Sequence, residues 1–217
     1  MTAGSKFIFS LLSLALPSAL TSAPWELKRS ENGIQVFVRS VDDSRIREIR
    51  SVTTVLSSLS SLVALVEDMA SAHQWVPYCR EQRVLAKISD VETFTYTASA
   101  LPWPLSDRDA VVHNWRSQMP DRTVVIRFEG APDYMPEVPG LIRIRRISGF
   151  WQFRPLGSGA VEVIYQILSE PAGNVPDWMV NSGVVDQPYN TILNMRNMLA
   201  EDRYRTASIP GLKESPP

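Results

Sequence analysis

Metal and nucleophile chemistry need clustered ligands, or a base beside a nucleophile, and this chain offers little of either. Its two histidines, His73 and His113, stand forty residues apart. No cysteine pair or acidic cluster lies at ligand spacing, so no metal is assigned and each histidine reads as structural. Cys79 is the only cysteine. It cannot form an internal disulfide, and a small buried hydrophobe is the usual fate of such a thiol; a Cys–His nucleophile has no support beyond the presence of both residue types. No glycine-rich phosphate loop occurs and no cofactor is expected. Asp107, Asp109, Glu129 and Asp133 are candidates for acid–base work, but charged strand and loop residues are mostly solvated, so no catalytic residue is assigned.

Arg108 poses a sharper question. Turned inward, a guanidinium must meet an acid, a polar ligand head or trapped water, because burial without a partner is costly. Two roles stay open: a polar contact that orients an otherwise apolar ligand, and an ion pair with Asp107, Asp109 or another carboxylate.

The elements that would position these residues follow from period. Trp25–Ser30 and Ile34–Arg39 flank Glu31-Asn32-Gly33, and Asn-Gly between two alternating runs is a strong hairpin signal. Ile46–Val55 reads as a third strand. Leu59, Leu62, Val63, Val66, Met69 and Ala70 then recur at three and four residues, predicting a helix that ends near Ala72. From residue 80 to 170 the period returns to two, with Phe94 and Tyr96 alternating with Thr93, Thr95 and Thr97. Further strands centre on His113, Ile126 and Val163, and Arg143–Phe153 slips phase near Arg145-Arg146, which predicts a bulge. A last helix starts at Pro176-Asp177-Trp178 with an apolar stripe including Val185, Ile192 and Met195; Pro188 predicts a kink or restart within it. The order is three strands, one helix, about six strands and a long helix: α+β, with a curved antiparallel sheet that needs the last helix as cover.

Within that frame Pro102-Trp103-Pro104-Leu105-Ser106-Asp107-Arg108-Asp109 resembles the segment leading into a central strand of START (StAR-related lipid-transfer) domains. Trp75 after the first helix and Pro176-Asp177-Trp178 at the last one match the same family, and the resemblance spans residues about 25 to 202. It implies a helix-grip fold with an internal tunnel for a lipid or other hydrophobic ligand, bound without catalysis and in places transferred. Several members pair the arginine at the position of Arg108 with an acid on the neighbouring strand. Here Phe94, Tyr96 and threonines occupy that stretch, without a clear acidic partner. The expected ligand contacts are Arg108, Tyr96, Trp103, Trp115, Tyr165 and Met195. Trp103 at its proline-flanked loop tip either touches a membrane transiently or packs over the tunnel mouth. Met179, Met195 and Met198 supply an adaptable cavity wall or ordinary core. Helix-grip relatives also include polyketide cyclases and dehydratases, for which Arg108, Tyr96 and Tyr165 are the candidates. A third possibility is an interaction module whose core Trp115, Trp151 and Phe153 fill.

The ends and the charge complete the picture. Lys6 and the apolar run Phe7–Leu16, followed by Thr21-Ser22-Ala23, have the layout of a signal peptide over residues 1–23; an uncleaved anchor is the alternative. The domain is expected over 24–204, exported to the periplasm or secreted, with a disordered tail over 205–217. Removing residues 1–23 leaves 21 basic against 23 acidic residues, from 22 and 23 in the whole chain. A near-neutral balance without a long basic run disfavours nucleic acid. A monomer is expected.

Overall fold

The computed structural model describes residues 23–42, 44, 46–170, 172–173 and 177–214, and the side chains of 177–184 lie outside that description. The expected signal segment and the Trp178 and Met179 side chains therefore fall outside the described residues. Ten strands and four helices follow in order: β1 (Glu26–Glu31), β2 (Ile34–Arg39), β3 (Glu48–Leu56), α1 (Leu59–Glu67), α2 (Ala72–Trp75), β4 (Cys79–Ser89), β5 (Glu92–Ser99), β6 (Arg108–Gln118), β7 (Val124–Gly130), β8 (Ile142–Arg143), β9 (Ile147–Gly157), β10 (Ala160–Ser169), α3 (Asp177–Met198) and α4 (Asp202–Arg205). Nine strands form one sheet in the order β1-β2-β3-β10-β9-β7-β6-β5-β4, and β8 adds to β6. All pairings are antiparallel except β6 with β8. This is the helix-grip α+β fold, with α3 packed across β2 and β3.

Local chemistry explains the elements. Asn32 and Gly33 both take positive φ, 51° and 68°, as the two-residue β1–β2 turn requires. Ser58 is the N-cap of α1, its hydroxyl accepting from the Ser61 amide at 3.0 Å. The helix expected to reach Ala72 stops at Glu67; a 3-10 turn (Met69–Ser71) and α2 continue it. Asp68 does not continue the α-helix, and its carboxylate accepts instead from the Tyr204 hydroxyl at 2.8 Å. The bulge expected at Arg145-Arg146 is a full break between β8 and β9. The chain crosses there from the edge of β6 to β7, the Ile144 amide bonding Asp109 and the Arg146 carbonyl accepting from Glu170.

Of the kink or restart expected in the last helix, the restart is not found, since α3 runs through Pro188 as one element. Tyr189, Ile192 and Met195 are buried on the C-terminal side of the missing amide, and that packing anchors this part of the helix. The main core joins these residues to Ile34, Val36, Leu62, Val163 and Phe153.

The expectation of a disordered tail from residue 205 is corrected over 205–214. Ile209 and Leu212 pack on the main core. The Glu214 carboxylate accepts the Leu59 and Ser60 amides at 2.9 and 2.8 Å, and Gln118 exchanges hydrogen bonds with Lys213. An anion at a helix N-terminus satisfies amides that otherwise lack acceptors, a tie invisible in a proline-containing tail.

Candidate functional site

The concave sheet face, the α1–α2 segment and α3 enclose a cavity of about 570 Å³. Strand alternation delivers its walls. β6 contributes Arg108, Ala110, Val112, Asn114 and Arg116; β5 contributes Thr93, Thr97 and Ser99; β7, β9 and β10 contribute Ile126, Phe128, Ile147, Trp151, Tyr165 and Ile167. Val66, Met69, Trp75 and Val76 close it from the α1–α2 side, and Gln187 and Thr191 from α3. The walls are thus apolar along β7–β10 and rich in hydroxyls along β5. Trp151 and Phe153 do face inward together, yet the space remains, which overturns the filled-core possibility.

Three of the six expected contacts border the cavity: Arg108, Trp115 and Tyr165. Tyr96 does not. The inward face of β5 belongs to its threonines, and Tyr96 turns to the convex side, where it forms a second small core with Ala98 and Val111 beneath Met135, Val138 and Leu141 of the loop after β7. Trp103 is 91% exposed and outside the cavity, so it does not pack over the mouth. Met195 is fully buried in the main core because α3 presents Gln187 and Thr191 to the cavity instead.

Arg108 is 2% exposed at one end of the cavity and donates to the carbonyls of Ser106 and Ala172, the latter at 3.2 Å. Burial pulls its pKa below the ordinary arginine value, opposed by Asp107. The acids beside it are engaged elsewhere. Asp107 pairs with Arg80. Asp109 forms a two-pronged pair with Arg143, both bonds at 2.9 Å and both side chains 1% exposed. Arg143 also donates to the carbonyls of Pro132, Met135 and Pro136, which fastens the convex-side loop to β6. At the other end Arg116 Nε lies 2.9 Å from Glu67 Oε1, a charge contact rather than a well-aligned hydrogen bond. Burial raises the Glu67 pKa, with Arg116 opposing. Burial likewise raises the Cys79 thiol on the cavity wall.

An aromatic group went unrecognised in the sequence as a site. Trp151 stacks on Tyr165 with centroids 4.2 Å apart, and Trp75 meets Trp151 edge-on at 6.0 Å. Among the described residues the buried Trp75 indole N–H has no acceptor and the Tyr165 hydroxyl has no hydrogen-bond partner. Burial alone raises the Tyr165 pKa, so the group stays protonated and keeps an O–H to donate. Among the described residues no cluster of histidine, cysteine or acidic side chains suits a metal ion, and no helix is long and apolar enough to cross a membrane.

The START domain family model matches residues 13–198, most of the chain. The chain belongs to the START domain family. This START domain is 35% identical to an uncharacterised protein of Pseudomonas aeruginosa over 80% of the chain and 85% of that protein. It is 29% identical to the phosphatidylcholine transfer protein of Mus musculus over 75% of the chain and 78% of that protein. Among solved structures, a STAR-related lipid transfer protein fragment of Xanthomonas axonopodis superposes with a TM-score of 0.76 at 33% identity, covering 82% of this chain and 99% of that one. Human StAR-related lipid transfer protein 5 shares the fold at 18% identity and a TM-score of 0.73.

Proposed function

We propose that this START domain binds a lipid or similar hydrophobic molecule in its cavity, without catalysis, and passes it between membranes. The observation that carries the reading is the cavity itself: about 570 Å³ enclosed by sheet and helices, within the size range of small-molecule sites. Each Å² of apolar ligand surface withdrawn from water contributes about 25 cal/mol, so partial enclosure of a hydrocarbon already gives useful affinity. Relatives named for phosphatidylcholine and lipid transfer support the same reading. Arg108, Trp115 and Tyr165 are the proposed contacts from the sequence that border this space, and Arg108 brings its guanidinium to one end. The exposed Trp103 supports brief contact with a lipid surface during exchange, because indole favours the membrane interface. The leader-like residues 1–23 support export.

A cyclase would use an ionisable cavity residue as base or acid. Tyr165 is held protonated by burial, with no base hydrogen-bonded to it, which favours a passive donor to a ligand oxygen. The test is native mass spectrometry of the domain purified from its own host, with solvent extraction and lipid analysis. A stoichiometric lipid is the expected result. An empty protein that also takes up no fluorescent lipid would overturn the reading. Cell fractionation with N-terminal sequencing tests export; a full-length product in the cytosol refutes it.

A further inference from the structure

The two ends of the cavity differ in how their arginines are used. At one end Arg108 is committed to the carbonyls of Ser106 and Ala172. At the far end of β6 stands Arg116, its side chain 7% exposed and on the cavity wall. Its Nη2 donates to the Asp90 carbonyl at 3.1 Å, and its Nε reaches Glu67 at 2.9 Å without an aligned hydrogen bond. A guanidinium carries five N–H donors in a planar fork that matches two oxygens of one anion. Glu67, the last residue of α1, meets that fork at Nε and leaves it largely unfilled among the described residues. This end also reaches water, since Lys87, Asp90 and Val91 line it and are exposed. A charged head placed here keeps part of its hydration while its hydrocarbon lies on Ile126, Phe128 and Trp151.

The charges at this end balance without a ligand. Arg116 comes from β6, Lys87 from β4, Asp90 from the β4–β5 turn and Glu67 from α1. Lys87 pairs with Asp90 at 2.7 Å, and Arg116 with Glu67. Asp68, next to Glu67, turns away to Tyr204 and Arg203. An anion arriving at Arg116 therefore leaves one negative charge in excess unless Glu67 gives up its own. Burial already holds the Glu67 carboxyl above the usual carboxylate range, so its neutral form is close at hand. Resting on the reading that the cavity holds a lipid, we infer that the ligand is an acidic lipid whose charged oxygens replace the Glu67 carboxylate on Arg116. Glu67 takes up a proton from solvent as it is displaced, and Lys87 adds a second cation at the rim.

Delipidated protein is offered dioleoyl phosphatidylglycerol, oleate, dioleoyl phosphatidylcholine and dioleoylglycerol separately, with binding read by native mass spectrometry and titration. The expected result is that phosphatidylglycerol or oleate binds at least about tenfold more tightly than the choline lipid and the diacylglycerol. Which of the two acids is held tells a phosphodiester head from a carboxylate. Glu67→Gln removes the competing charge, so affinity for the acidic lipid at about pH 8 rises at least about tenfold. Phosphatidylglycerol keeps one charge between about pH 5 and about pH 8, so tighter binding at the lower pH in wild type, lost in Glu67→Gln, reads the proton. Equal affinity for charged and uncharged lipids, or a folded Glu67→Gln protein with unchanged affinity for the acids, overturns this inference and leaves the proposed function standing. A choline lipid that binds more tightly as pH rises overturns it too, since Glu67 then holds a cation. Uptake of none of the four overturns both. Arg116→Gln is made on the Glu67→Gln background, where no carboxylate is left without its partner, and the preference for acidic lipid is lost there; a preference that survives overturns the inference.

Discussion

The Asp109–Arg143 pair gives the most exacting prediction, because it separates what holds the fold from what serves the cavity. Both side chains are 1% exposed and joined by two bonds of 2.9 Å, and Arg143 donates further to three carbonyls of the convex-side loop. Asp109→Ala leaves a guanidinium buried with only neutral acceptors. Removing one partner of a buried pair costs about 3–5 kcal/mol. For a domain of this size each kcal/mol shifts the melting temperature by about 2–4 °C, so the fall is about 6–20 °C. Differential scanning calorimetry reads it directly. The double change Asp109→Leu with Arg143→Met recovers most of that loss, since apolar replacement of a buried pair is often neutral. Recovery stays incomplete because the loop carbonyls lose their donor. The pair also faces away from the cavity, so single-variant protein held well below its melting point takes up a fluorescent lipid as the wild type does. A melting temperature within about 2 °C of wild type refutes the energetic argument. Lost uptake in a folded variant refutes the separation of the two faces.

Four further outcomes follow from named groups. Glu214→Ala strips the carboxylate from the Leu59 and Ser60 amides, costing about 0.5–2 kcal/mol in urea denaturation, and those amides exchange hydrogen faster. Burial lifts the folded Glu67 pKa above its ordinary 4.5, so the folded state binds this proton more tightly than the unfolded chain and stability from this group falls as pH rises through that window. The stability of wild type minus that of Glu67→Gln is therefore greatest below pH 4.5 and declines above it; a flat or rising difference refutes the assignment. Cys79, its thiol pushed above 9.0 by burial, reacts slowly with iodoacetamide at neutral pH and more slowly still when ligand fills the cavity it lines; ligand-independent labelling places the ligand elsewhere. Tyr165→Phe removes a hydroxyl with no hydrogen-bond partner among the described residues, so ligand-free stability changes by less than about 0.5 kcal/mol. Ligand affinity falls by about 0.5–1.5 kcal/mol if the hydroxyl donates to the ligand.

Much of the fold was legible because alternation and the three-to-four spacing report directly which backbone period a segment adopts. The Asn32-Gly33 hairpin, the helix from Leu59 and the apolar stripe through Ile192 all follow from residue spacing. The site was less legible, and β5 shows why. Alternation divides Thr93, Thr95 and Thr97 from Phe94 and Tyr96, but it does not say which set faces the concave side. Placing the aromatics inward assumes one buried face, and here both faces are covered. The loop from Ala131 to Leu141 lies over the convex side, fastened by Arg143, and gives Tyr96 its own small core. That cover is set by a contact thirty-four residues away from Asp109 in sequence. The same cover frees the inward face of β5 from the task of core packing. Threonines line the cavity while apolar burial for that strand is supplied on its other side, beneath a loop fastened by a salt bridge that faces away from the cavity.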